Sequence, residues 1–500
     1  MEREQNAYDV VEYPAFSYPN MHPDRLAVMA ALHGVGAAPV MNCRVLEVGC
    51  GEGANLIPMA YALPGSEFTG FDLAGVPVAR GQERILELGL ANIRLFQGDV
   101  LEVGSAPERG GLSEYDYILV HGLYAWVPPP VQERLLAICA EHLAENGIAF
   151  ISYNALPGSH MRDMVRDIID SSGRNDDSRA EKVRTGLELL GLLVGSRPEN
   201  DPYRQLLQEQ LTKLSRRSFA SIYHDELSPV YAPLLVGTFV EHARRHGLEY
   251  LCEAVLPIPS DPCFRPELME KIRGMAGDDE VAVEQMLDFA RMRMFRETLL
   301  VRSGQRVRRE IAVEPLHGMR FASSATAAER DGSGTQVYTL AGGLRVGSDD
   351  APAIAVMERL IAAWPRTLGY AEMREVLNGA GVGAEARADR LLQQMAVARM
   401  IELHMWEPPV AGVVSERPRA TAACRQESRS RTYLANLWHG TVQVDDPVVR
   451  ALLQLLDGTR DRDALLVALR EAFPAIDAGE LKNGLEPNLR HFLRAALLEA

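Results

Sequence analysis

The sequence predicts an α/β fold: a mainly parallel sheet covered by helices, followed by a helical domain and two small α+β units. Three observations carry this. Residues 42–155 alternate short apolar runs with amphipathic runs. From about 160 to 310 the apolar positions fall at helical spacing. The last part holds two similar stretches, each an Asp pair followed by a helical run, a polar turn and a second helical run.

The elements follow in order. "CRVLEVG" reads as a buried strand that enters a glycine-rich turn, and "GANLIPMAYALPG" as a short helix stopped by Pro64 and Gly65. "EFTGFDL" is a second strand, and "PVARGQERILELGL" a helix ending near Gly89. "IRLFQGD" and the apolar "YDYILVHG" are the third and fourth strands. "VQERLLAICAEHLAENG" reads as a helix running to Gly147, and "IAFISYN" as the fifth strand. Repeated βα units with continuously apolar strands mean a parallel sheet buried on both faces.

Beyond it, "SRAEKVRTGLELLGLLV", "YRQLLQEQLTKLSRR" and "VAVEQMLDFARMRMFRETLL" read as helices. Seven arginines between Arg291 and Arg309 are expected on a solvated helix face or as a dock for the acidic N-terminal part. The pairs Asp349/Asp350 and Asp445/Asp446 open the two similar stretches, 96 positions apart, and suggest two winged-helix-like units. "EPPVAGVVSERPRATAACRQESRSR" between them reads as linker. The expected divisions are a lid segment over 1–40, a cofactor-binding domain over 41–175, a helical domain over 176–315, and units over 316–412 and 413–500.

Composition bounds the function. Five hundred residues exceed a single core. An apolar content of 47% with 24% charged residues is that of an ordinary globular protein. No apolar run reaches the roughly 18 residues of a membrane span. The polar, acidic start "MEREQNAYDVVEYP" lacks a secretory signal. The six cysteines form no CxxC pair, which fits a reducing cytoplasm. A net charge of −16 opposes nucleic acid as the main partner. Residues 1–160 hold eight arginines, no lysine and nineteen acids. Such a surface attracts a cationic substrate, besides keeping the chain soluble.

The glycine turn raises the question of a ligand. Gly49, Gly51 and Gly53 permit a tight turn and close approach to a helix N-terminus. Glu47, at the strand end, suits an ammonium group and would repel a pyrophosphate. Asp72 ends the next strand, 25 residues on, where a carboxylate can accept both ribose hydroxyls. Asp99 ends the third strand and can accept from an adenine amine, or simply form a turn. An ammonium, a ribose and an adenine without phosphates describe S-adenosylmethionine. Cys50, Asn55, Leu73 and Val100 complete the expected cofactor set, with Cys50 read as a small packing residue.

From "LEVGCGEG", "FDL", "GD" and "YDYILVHG" the chain resembles the class I S-adenosylmethionine-dependent methyltransferases over about residues 40–155. That resemblance implies a Rossmann-like, mainly parallel seven-stranded sheet. "GANLIPMA", "HGLYAWVP", "YNALPG", residues 223–254 and "LLDGTRDRDALL" are similar to the methyltransferases that carry a regulatory domain, among them bacterial protein lysine methyltransferases. The resemblance implies a lysine of a protein or peptide as acceptor.

Methyl transfer from a sulfonium is an in-line displacement, so alignment and exclusion of water dominate. His121, Tyr124, Trp126 and Tyr153 follow strands four and five, at the carboxyl edge where ligands bind in this fold. The three aromatic rings can face a cationic nitrogen or pack around the adenine. His121 can act as a base, orient a neighbour or line the cofactor pocket. Tyr13, Phe16, Tyr18 and His22 lie in a Pro-punctuated segment expected to close as a lid. No metal is expected, since the chain is read as holding no HxxxH, no HExxH and no clustered Cys/His set. Two other readings remain open: a small-molecule N- or O-methyltransferase, and an S-adenosylmethionine-sensing regulator without catalysis. In the leading reading the added domains recognise a protein substrate or build a homodimer.

Overall fold

The computed structural model describes residues 7–11, 13–104, 111–174, 178–256, 265–327, 330, 332 and 335–500. The chain opens with α1 (Ala7–Val10) and α2 (Pro23–Leu32), then alternates β1 (Arg44–Val48), α3 (Leu56–Ala62), β2 (Glu67–Asp72), α4 (Gly75–Leu88), β3 (Ile93–Gln97), β4 (Tyr115–Val120), α5 (Pro129–His142) and β5 (Leu143–Asn154). Five helices follow: α6 (Ser159–Ser171), α7 (Arg179–Gly195), α8 (Pro202–Ser215), α9 (Phe219–Glu226) and α10 (Val236–Arg245). Then come β6 (Leu248–Glu253), α11 (Pro266–Ala276), α12 (Glu280–Arg291) and β7 (Phe295–Arg302).

These strands make one seven-stranded sheet in the order β3-β2-β1-β4-β5-β7-β6. Neighbours pair in parallel from β3 to β5, and β7 runs antiparallel to both β5 and β6. The chain leaves β1 toward β2 and β3 and returns to β4 on the other side. The carboxyl ends of β1 and β4 therefore open a crevice, the place where this class of sheet binds its ligands.

Three sequence expectations are corrected here. The helix expected to reach Gly147 ends at His142, because Leu143 already pairs with Tyr115 in the sheet. The run 281–300 is not one helix: α12 stops at Met292, held at φ +49°, and β7 begins at Phe295. Pairing on both flanks overrides the helical periodicity there. The span read as purely helical thus supplies the last two strands. The arginines follow suit: Arg291 ends α12, Arg296 and Arg302 lie on β7, and the others lie in the segments flanking that strand rather than on one solvated helix face. Arg296 is fully buried against Glu253, Glu284 and Asp288, at 2.7, 2.7 and 2.8 Å.

The next unit contains β8 (Arg320–Ala322), β9 (Thr326–Ala327), β10 (Gln336–Thr339), β11 (Arg345–Ser348), α13 (Ala351–Ala363), β12 (Leu368–Gly369), α14 (Tyr370–Gly379), α15 (Glu385–Val397) and β13 (Glu402–His404). The last holds α16 (Ala422–Glu427), β14 (Tyr433–Ala435), β15 (Thr441–Gln443), α17 (Pro447–Leu455), α18 (Arg462–Ala472) and α19 (Ala478–Arg494). The internal similarity has a physical basis. Asp350 and Asp446 each follow a hairpin strand and cap the next helix, Asp350 accepting from Ala353 N and Asp446 from Val448 N.

The segment read as linker is no tether. Its α16 docks on the sheet domain: Arg84 pairs with Glu427 at 2.7 Å, and Gln426 donates to Glu87 at 2.6 Å. A single apolar cluster also runs from Val45, Tyr117 and Phe150 through α2 into Leu360, Met373 and Leu392. The unit of β8 to β13 is therefore welded to the sheet domain by continuous core, while the last unit keeps an apolar cluster of its own and docks through polar contacts.

Candidate functional site

The glycine turn has the geometry its residues allow. Gly49, Gly51 and Gly53 sit at φ +78°, +53° and +72°, a region costly for any residue with a Cβ. At Gly53 an added Cβ would also stand 2.7 Å from the Leu95 side chain. The turn is tied to the end of β2: Gly49 N and Cys50 N donate to Phe71 O at 2.9 and 3.2 Å, and Gly51 N donates to Asp72 Oδ2 at 2.8 Å. Cys50 is buried, and its thiol is pushed well above the usual range by burial, in keeping with a packing role.

Glu47 lies beneath this turn, 5% exposed. Its Oε1 accepts from Asn55 Nδ2 at 3.2 Å, while Oε2 has no hydrogen bond among the described residues. Burial pushes the carboxyl up to about 8. A buried carboxylate oxygen without a partner is unfavourable by roughly 1–3 kcal/mol, and a bound cation offsets that cost. Asn55 is turned by two donors on its Oδ1: Tyr18 N at 3.2 Å and His439 Nε2 at 2.7 Å. With the oxygen so occupied, the amide nitrogen points to Glu47.

Asp72 Oδ1 accepts from Ala74 N at 2.8 Å. Each of its oxygens thus holds one backbone amide and keeps a lone pair for a diol. Leu73 beside it is exposed, an apolar shelf next to the acid. Asp99 accepts from Leu101 N at 2.9 Å, so it does form the turn, with Val100 half-buried inside that turn.

At the end of β4 the His121 ring stands 4.2 Å from Tyr18 and 6.0 Å from Phe295, with Nδ1 3.0 Å from Ser152 Oγ. Burial holds its pKa down at about 4, so the ring is neutral near pH 7. Tyr124 and Tyr153 do not face an open pocket as expected. Both are 1% exposed and pack with Phe239 of α10. Their hydroxyls are spent on His242 Nδ1 and Thr298 Oγ1. Trp126 stacks near Tyr231 and under the Arg162 guanidinium. The reason for all three is α9–α10 and the loop between them, which cover this side of the sheet end.

The N-terminal segment crosses the same edge. Tyr8 stacks on His224 at 4.3 Å, Asp9 accepts from Val76 N at 3.0 Å, and Tyr18 reaches His121. Burial, helped by the charge of Glu47, raises the Tyr18 hydroxyl to about 12. His22 instead caps α2, accepting from Asp24 N, and lies buried against Trp406. A cavity of about 1340 Å³ opens on the far side of Phe295 and Glu297, lined by acids such as Glu280 and Glu284 and bases such as Arg273 and Arg308.

Sequence reasoning missed several residues here. His439 comes from the last unit, as does Arg431, which pairs with Glu52 in the glycine turn. Ser152 and Glu297 were also passed over, and no local pattern marks any of the four. One local signal was overlooked: His242 and His246 stand at HxxxH spacing, and Glu133 lies against both. The expectation of no metal-ligand pattern is corrected on that point.

Residues 46–149 match the family model described as methyltransferase domain, residues 218–302 that of the predicted methyltransferase regulatory domain, and residues 416–495 that of the PKMT C-terminal winged helix domain. The Rickettsia prowazekii (strain Madrid E) protein RP789 is 32% identical over 311 residues, 62% of this chain and 55% of that protein. The chain thus spans little more than half of that relative's length. A second protein of that strain, RP028, is 29% identical over 49% of this chain and 96% of its own. The structure of PKMT2 from Rickettsia typhi in complex with AdoHcy shares the fold over 97% of this chain and 99% of its own, with a TM-score of 0.85 at 21% identity.

Proposed function

We propose that this chain, in which a class I methyltransferase domain is joined to a methyltransferase regulatory domain and a winged helix, moves the methyl group of S-adenosylmethionine onto a nitrogen, with a protein lysine side chain as acceptor. S-adenosylmethionine is the cofactor of the methyltransferase domain, and supplies an electrophilic methyl group on sulfur. Glu47 carries the reading: a buried carboxylate with one oxygen unpartnered, under a left-handed glycine turn, is a seat for an ammonium group. Asp72 offers lone pairs to a ribose diol, and Leu73 an apolar face to a purine.

On the acceptor side, His121 is a neutral ring held by Ser152, placed to line the acceptor and accept a hydrogen bond, while the acceptor amine sheds its proton to solvent before it enters. Tyr18 closes against it from the N-terminal segment, which acts as a lid. The ion-lined cavity beyond Phe295 favours a polypeptide carrying charges over a small apolar acceptor. The five described cysteines are free and buried, in keeping with action in the cytoplasm.

The test is calorimetric titration with S-adenosylmethionine and S-adenosylhomocysteine, then transfer of labelled methyl to lysine-rich bacterial proteins. Label that vanishes when the acceptor lysines are blocked beforehand supports the reading. Absence of binding to both nucleosides sinks it, and label found only in small molecules removes the lysine part.

A further inference from the structure

On the face of the sheet domain away from the glycine turn, three metal-binding side chains converge without any role in the reaction above. His242 lies in α10 and His246 caps its end, one turn apart on one side of the helix. Glu133 comes from α5. Its Oε2 stands 3.1 Å from His242 Nε2 and 2.8 Å from His246 Nε2, and the three donor atoms all fall within 4.8 Å of one another.

We propose that Glu133, His242 and His246 form a binding site for a divalent transition-metal ion of the zinc type. Two imidazole nitrogens and one carboxylate oxygen are the donor set such an ion takes, with the fourth position left to water. Ligand atoms around a tetrahedral ion at about 2.0–2.1 Å lie a little over 3 Å apart, so the two spacings to Glu133 need shifts of up to about half an ångström, and the two imidazole nitrogens already lie within 4.8 Å of each other. The carboxylate can give that much, since Glu133 is half exposed.

Three further observations separate this trio from an ordinary surface ion pair. His242 Nε2 is buried and makes no hydrogen bond, although the carboxylate oxygen is near. Its other ring nitrogen is fixed by the Tyr124 hydroxyl, an outer-sphere partner that orients the ring toward the trio. Arg245 stands 3.7 Å from the other Glu133 oxygen, so Oε2 is the one left for the ion. Through Tyr124 an ion here would fasten α5 and α10 to the turn that follows β4. The site owes nothing to methyl transfer, so its failure and the failure of that reading are separate results.

The experiment uses the full chain, stripped with chelator and dialysed against limiting Zn²⁺ at pH 7.5, with retained metal measured by mass spectrometry. One zinc per chain is expected, raising the melting temperature, and Co²⁺ in its place should give the visible band of a four-coordinate ion. His246→Ala should lose both the retained metal and the thermal shift. The substituted ring is partly exposed, so the fold should hold. Tyr124→Phe should weaken binding by about tenfold, as removal of an outer-sphere partner does. His317 faces a second, more open group with Glu385 and Asp389, and serves as the control. Should His246→Ala fold poorly, Glu133→Gln on the exposed carboxylate asks the same question. No retained zinc, equal zinc in His246→Ala or Glu133→Gln, or loss with His317→Ala alone would overturn the proposal.

Discussion

His439 of the C-terminal unit donates from Nε2 to Asn55 Oδ1 in the glycine turn, 2.7 Å away and 384 residues apart in sequence. The histidine is 2% exposed, sits at φ +59°, and is kept neutral by burial. A non-glycine residue in that region at a buried contact is a sign of a constraint worth its strain. The contact fixes which end of the Asn55 amide faces Glu47. In the proposed reading of Glu47, the winged-helix unit therefore helps to set the cofactor seat. His439→Ala should weaken S-adenosylhomocysteine binding by about tenfold, the effect of one buried hydrogen bond, and His439→Gln should restore much of it. Unchanged affinity in a folded His439→Ala chain would show the contact to be packing alone.

The Glu47 carboxyl, at about 8 in the free protein, is mostly protonated at pH 7. An ammonium group requires it ionised. Cofactor binding at pH 7 should then release close to one proton, read as a buffer-dependent binding enthalpy. Glu47→Gln should abolish that release. The sign for stability follows the same carboxyl: the free protein gains from the protonated form below the ordinary carboxylate range and loses that gain as pH rises through about 8.

Asp72 holds the turn by Gly51 N and Ala74 N and offers its remaining lone pairs to a diol. Asp72→Ala removes charge-assisted bonds worth roughly 1.5–3 kcal/mol each. Calorimetry should show affinity for either nucleoside down by about a hundredfold. A variant that binds as tightly as the parent would assign Asp72 to the turn only.

The glycines, Glu47 and Asp72 were legible because a strand, a tight turn and a strand end are set by neighbours in sequence. The sheet's first five strands were legible for the same reason. The last two strands were not, since the residues that pair with Phe295–Arg302 lie on β5 and β6, separated by inserted helices. Tyr124 and Tyr153 were placed at the right edge and on the wrong side of it. Which face of that edge is open depends on Phe239, more than 80 residues on, and period-two alternation carries no such information. His439 is the extreme case: its position in the chain says nothing of a ligand.

Arg296 is 0% exposed and holds Glu253, Glu284 and Asp288 together across β6, β7 and α12. Burying an ion pair yields little by itself, yet removing one partner strands the others. Arg296→Met leaves three buried acids facing one another with only Arg293 nearby. Unfolding by denaturant should show a loss of about 3–5 kcal/mol, and a loss under about 1 kcal/mol would mean that the acids simply take up protons.

Acid should unfold this chain earlier than its carboxylates alone require. His22 and His121 are both held near 4 by burial, and His439 lies well below its ordinary range. In the unfolded chain each titrates near 6.5. The unfolded state therefore binds more protons between those values, and stability falls as pH drops from about 6.5 toward 4. A lowering of 2.5 units corresponds to roughly 3 kcal/mol per group at 1.36 kcal/mol per unit. The buried Glu47 pulls the other way inside this window, since its folded-state carboxyl keeps a proton that the unfolded chain gives up above about 4.5, so it offsets about one of the three rings. Melting temperature against pH should drop steeply across pH 6.5–4, and His22→Asn, which keeps a polar cap for α2 without a titrating ring, should flatten part of that slope. A parent curve that is level down to pH 4.5 would mean that these rings are charged and paired in the fold.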